Sequence, residues 1–167
     1  LFVGEQIGDQ ANFFPDKQVS RGDFMAMLVQ ALDIPLDQTK YDGIPEDVPQ
    51  WLRPYMTAAL RSGLVDGIPE RETFGADEPI TGAEAAVMLQ NALDLTISQQ
   101  TLEVMRQDMG KSEMPVWAEV SSSVMEDNGI SLDANAPLTR AQAANILYRA
   151  SRLAPNAPGS SVFRTQN

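Results

Sequence analysis

The stretch Pro137-Leu138-Thr139-Arg140-Ala141-Gln142-Ala143-Ala144-Asn145-Ile146-Leu147 reads as a capped helix start running into an amphipathic helix, and the chain carries it three times. The earlier copies are Gln18-Val19-Ser20-Arg21-Gly22-Asp23-Phe24-Met25-Ala26-Met27-Leu28 and Pro79-Ile80-Thr81-Gly82-Ala83-Glu84-Ala85-Ala86-Val87-Met88-Leu89. The hydroxyl residues Ser20, Thr81 and Thr139 stand 61 and then 58 positions apart. The same offsets carry Phe24 to Ala85 to Ala143, Leu28 to Leu89 to Leu147, and Ala31 to Ala92 to Ala150. Agreement at so many positions is an internal repeat, which sets the expectation of a mainly α chain.

Each start has a physical rationale. The Thr139 hydroxyl can accept from the Gln142 N–H while the Gln142 side chain reaches back to the Thr139 N–H, a capping box. Ser20 with Asp23 and Thr81 with Glu84 follow the same plan, and each cap stabilises its helix by about 1 kcal/mol. Val19, Ile80 and Leu138 precede the caps, where an apolar residue staples onto the first turn. In the first copy Phe24, Met27, Leu28, Ala31 and Leu32 then fall at helical spacing, and Pro35 is expected to close that helix.

A second kind of helix begins near Trp51 and ends at Ser62-Gly63, and another begins at Trp117 and ends at Gly129. Both Trp-to-Gly spacings are 12 residues. The glycines suit a left-handed helix cap. The loop after Gly129 is about eight residues shorter than the loop after Gly63. Ser98 is expected to cap an extra helix over 98–109. The units are therefore 1–34, lacking its Trp helix, then 35–97, then 98–153, with a flexible tail over 154–167. The missing front helix implies either that the natural protein extends upstream of Leu1 or that another chain covers the face it leaves.

Composition removes several function classes. The 167 residues hold no cysteine and no histidine, which excludes thiol and imidazole nucleophiles, disulfides and zinc sites of the usual kind. A net charge of −11 argues against nucleic acid as a partner. No apolar run approaches the ~18 residues of a membrane span. No EF-hand loop is visible, and no metal or cofactor is expected. Acids are abundant, but no pair stands out as a glycosidase-like couple, so the chain reads as a non-enzyme.

Two residue types exceed what helix capping needs. Arg21 and Arg140 occupy the first helical position, where the helix dipole disfavours a cation by up to about 1 kcal/mol. With the unpaired N–H groups of a helix start they could form a pocket for a carboxylate or phosphate. The plainer reading is an ion pair with one of the chain's 23 acids. The second copy has Gly82 there. Trp51 and Trp117 read either as core or groove-wall residues or as platforms on which a sugar ring stacks.

Taken together, Phe13-Phe14-Pro15-Asp16 with Val19-Ser20-Arg21, Trp51 to Gly63 with Phe74 and Ile80-Thr81, and Trp117 to Gly129 with Leu138-Thr139-Arg140-Ala141-Gln142 resemble the S-layer homology family. The resemblance covers about residues 1–153. It implies a pseudo-threefold helical module of three repeats, with the capped helices as a central bundle and grooves between repeats. It also implies an extracellular, cell-surface location, where the module anchors a protein non-covalently to the wall. The ligand would be secondary cell wall polysaccharide, or another peptidoglycan-linked glycan, often anionic and pyruvylated. In the family the motif arginine lines the groove, which carries over to Arg21 and Arg140. The departures are Gly82 for Arg, Asp23 and Gln142 for Glu, and Leu132 in place of the loop Phe. They keep a second reading open, an assembly module that packs against other surface-layer protein chains and has lost its glycan.

Overall fold

A computed structural model describes residues 5–7, 10–36, 41–108 and 113–153. The expected tail 154–167, residues 1–4 and Met109 lie outside the described residues. Among the described residues six helices carry the fold: α1 (Arg21–Ala31), α2 (Arg53–Arg61), α3 (Gly82–Leu93), α4 (Gln99–Asp108), α5 (Val116–Asp127) and α6 (Arg140–Leu153). A short antiparallel pair, β1 (Glu5–Ile7) and β2 (Gln10–Asn12), precedes them with Gln6 opposite Ala11. Three-residue strands are too short to show the alternation that would mark them in the sequence.

The chain segments leading into α1, α3 and α6 close into a ring. The Val19 N–H donates to the Leu138 carbonyl at 2.9 Å, Leu138 N–H to Ile80 at 3.0 Å, and Ile80 N–H to Val19 at 3.0 Å. The three apolar residues ahead of the caps are thus joined to one another through their backbones. Their side chains are buried, as are Phe24, Ala85 and Ala143 behind them. Burying a side chain such as Phe24 or Leu147 contributes about 2–3 kcal/mol. One cluster holds Phe24, Leu28, Met56, Ile80, Met88, Met125 and Leu147. A smaller one holds Ala83, Val87, Met114, Ala118 and Ala134, with Trp117 against it.

α2 and α5 end alike. Gly63 and Gly129 have φ of +69° and +78°. The following residues, Leu64 and Ile130, donate back to Ala59 and Met125 at 2.8 Å in both cases and are buried. This is the Schellman arrangement, in which a left-handed residue lets the chain turn under the helix end. α1 and α3 stop the same way on Asp33 and Asp94, whose φ values are +52° and +50°. The helix end expected from Pro35 is therefore made earlier, at Asp33. α2 starts at Arg53, two residues after the expected Trp51, because Pro54 has to sit in the first turn.

Candidate functional site

At the starts of α1, α3 and α6, each helix meets the loop that precedes another capped helix. The N–H groups of Arg21 and Gly22 donate to the Glu78 and Ala76 carbonyls at 2.8 and 2.9 Å. Those of Arg140 and Ala141 donate to Lys17 and Pro15 at 2.8 and 3.0 Å, and Ala83 N–H donates to Ala134 at 3.1 Å. Ala76, Pro15 and Ala134 each stand five residues ahead of their own cap. The third N–H of each helix goes to the cap: Asp23 to Ser20 at 3.1 Å, Glu84 to Thr81 at 3.3 Å, Gln142 to Thr139 at 3.3 Å. Glu84 and Gln142 return the bond to the Thr81 and Thr139 N–H groups. The shorter Asp23 gives no such return, so the first copy has half a box.

These bonds correct one sequence expectation. The N–H groups at the starts of α1 and α6 already have protein acceptors and are not open to an anion.

The arginines follow the same geometry. Arg21 is 5% exposed and lies across Phe74, its guanidinium 5.8 Å from the ring centroid. Its Nη1 donates to the Phe74 and Gly75 carbonyls. Its Nη2 contacts Glu84 at 3.0 Å and Glu78 at 3.3 Å. Arg140 lies 5.2 Å from the Phe13 centroid. Both arginines therefore clamp a neighbouring loop through its aromatic residue, a contact worth about 0.5–2 kcal/mol. At Gly82 the partner loop is the shortened one. A Cβ on Gly82 would overlap the Asp133 carbonyl oxygen, so no side chain fits.

A groove of about 460 Å³ opens beside the Arg21 junction. Its apolar wall includes Met56, Leu60, Val65 and Ile68, and its polar rim includes Asp66, Glu70 and Arg71. Arg71 reaches Glu84 at 2.7 Å and Glu78 at 3.7 Å. Glu84, 1% exposed, thus holds Arg21, Arg71 and the helix cap together. Asp47 fixes the loop from the other side, accepting from the Phe74 and Gly75 N–H groups at 2.9 and 2.7 Å. Desolvation pushes the Asp47 pKa up, but these N–H bonds outweigh it and hold the carboxyl below its ordinary value.

A second cleft of about 410 Å³ is lined by Glu113, Glu119, Glu126, Asp133 and Ser122, with no basic residue among the described ones. Among the described residues no group of three or more acids is placed to hold a metal ion.

Of the four residues singled out for glycan binding, Arg21 lines the first of these two clefts and Arg140 lines neither. Trp51 is 52% exposed and Trp117 packs half-buried on the smaller cluster. Neither lines either cleft. Asp47, Asp66, Glu70, Arg71 and Glu78 were not singled out from the sequence, because they sit in loops where neither a helical period nor a cap pattern marks a side chain. The signal that was available was the coincidence of Gly82 with the shortened third loop.

Among known proteins, residues 44–86 match the model of the S-layer homology domain. The S-layer protein sap of Bacillus anthracis is 22% identical over 145 residues, 84% of this chain and 18% of that protein. An S-layer protein of Bacillus thuringiensis subsp. finitimus is 24% identical over 149 residues, again 84% of this chain and 18% of the relative. The chain thus spans less than a fifth of the curated relatives it matches.

Proposed function

We propose, from the premise that residues 44–86 are an S-layer homology domain, that this chain is an anchoring module holding a larger surface protein on a bacterial cell wall. The location is extracellular, at the cell surface. Anchoring is non-covalent and runs through the wall's secondary polysaccharide. The resemblance implies an anionic, often pyruvylated polymer, but the anchoring reading requires only that it be a wall polysaccharide. The observation that carries this reading is the groove beside Arg21. All its lining except Arg21, Gly43 and Met88 falls inside the matched segment. An apolar wall with a few polar side chains on its rim is the general form of a small-molecule site.

Purified peptidoglycan should pull down the chain when its secondary polymer is attached. Stripping the polymer should release it. Retention on stripped peptidoglycan would overturn the reading.

A second reading, packing against other surface-layer chains, is favoured by α6. Its Tyr148 is 43% exposed, whereas Val29 at the matching place in α1 is 1% exposed. Light scattering across a concentration series tests it, and a clean monomer throughout would remove it.

A further inference from the structure

We infer that Arg71, rather than the motif residue Arg21, meets the wall polymer, holding a carboxylate of its sugar at the mouth of the groove; the inference rests on the anchoring reading. Both arginines line this groove, in opposite states. The Arg21 side chain is 6% exposed. Its Nη1 is on the Phe74 and Gly75 carbonyls, its Nη2 is on Glu84, and its guanidinium lies over Phe74. A ligand could take Arg21 only by opening the joint between α1 and the loop ahead of α3. The Arg71 side chain is 44% exposed and can be reached with every joint closed.

Arg71 is also held ready. Its Nη2 donates to Glu84 Oε1 at 2.7 Å, the same oxygen that takes Arg21 Nη2 at 3.0 Å. Glu84 is 1% exposed and cannot swing away, because its other oxygen accepts from the Thr81 N–H at 3.2 Å in the α3 cap. Glu78 stands 3.7 Å from Arg71 Nη1, beyond hydrogen-bond range, and its side chain is 62% exposed. A fixed acceptor at one nitrogen sets the direction of the guanidinium and removes part of the side-chain entropy lost on binding. A guanidinium has five donors in a planar fork that matches the two oxygens of a carboxylate. Glu84 thus positions Arg71, and the exposed part of the fork is the contact offered to the ligand. Glu70, next in the chain and exposed on the same rim, is an acceptor for a sugar hydroxyl.

The test is titration calorimetry of the chain with secondary wall polysaccharide purified from the producing bacterium. The polymer is used as isolated and after carboxyl reduction, which converts each carboxylate to a primary alcohol. Wild type should bind the native polymer about tenfold more tightly than the reduced one. Arg71→Gln should lose about tenfold for the native polymer and less than about twofold for the reduced one. Arg71→Lys keeps a cation beside Glu84 but not the fork, and should lose several-fold for the native polymer only. Arg106→Gln makes the same charge change on α4 at a side chain that is 66% exposed and lines neither cleft, and should bind as wild type does. Three results would overturn the inference while the anchoring reading stands: wild-type affinity in Arg71→Gln, equal losses for both polymers in that variant, or equal binding of both polymers by wild type. If wild type binds neither polymer, both fail.

Discussion

Arg21 and Gly82 occupy the same step, one residue past the cap of two equivalent helix starts, and their surroundings are opposite. Arg21 spreads over Phe74 and bonds two loop carbonyls and two acids. Gly82 has a carbonyl, Asp133, pressed where its Cβ would be. In both helices the cap hydroxyl accepts from the third N–H, so the cap does not choose between them. The facing loop does. The long loop ahead of α3 brings an aromatic residue and leaves room for a guanidinium. The loop ahead of α6, shorter by about eight residues, brings its backbone straight onto the helix. Arg140 on Phe13 repeats the first arrangement. In this chain the motif arginine is part of the fold's joints before it is anything else.

The sharpest way to break this comparison is to move the arginine. Gly82→Arg has no space at Asp133 and should cost about 4 kcal/mol, or prevent folding, as read by urea denaturation. A stable Gly82→Arg variant would mean the third loop yields easily and the joint is not set by sterics. Arg21→Ala should be next. It leaves Glu84 buried with Arg71 as its remaining cation and frees the Phe74 carbonyl, so a loss of about 3 kcal/mol is expected in the same assay. Arg140→Ala, whose guanidinium faces Phe13, should cost about 1 kcal/mol. A double-mutant cycle with Phe13→Leu would then give a coupling of the same order, and additive losses would show that the ring is not the partner.

The smallest expected effect is a pH dependence at the Asp47 strap across the Phe74 loop. The folded Asp47 carboxyl titrates below its unfolded value, through the N–H groups it accepts from. Its stabilisation is therefore complete above an unfolded pKa of about 3.9 and is lost as pH falls through the lower folded value. Comparing wild type with Asp47→Asn, the stability difference should be constant from neutral pH to about pH 5 and shrink below pH 4. A difference that grows on acidification would reverse the assigned sign.

The chain itself carried the helices and their starts. Hydroxyl caps, apolar periodicity and the glycine ends of α2 and α5 are local devices, acting within one or two turns, so their signal survives in one dimension. The repeat offsets extended that reading to the equivalence of Val19, Ile80 and Leu138. What no local pattern could report was contact between distant loops. The backbone ring joining those three residues, the loop carbonyls that occupy the helix-start N–H groups, and the pairing of Arg21 and Arg71 with Glu78 and Glu84 all join segments tens of residues apart. The arginine left unexplained by capping was a true signal of something beyond the helix. Only the packing of the loops decided that its first partner is the protein itself, because a buried cation must be met by whatever carbonyls and carboxylates the neighbouring segment brings to it.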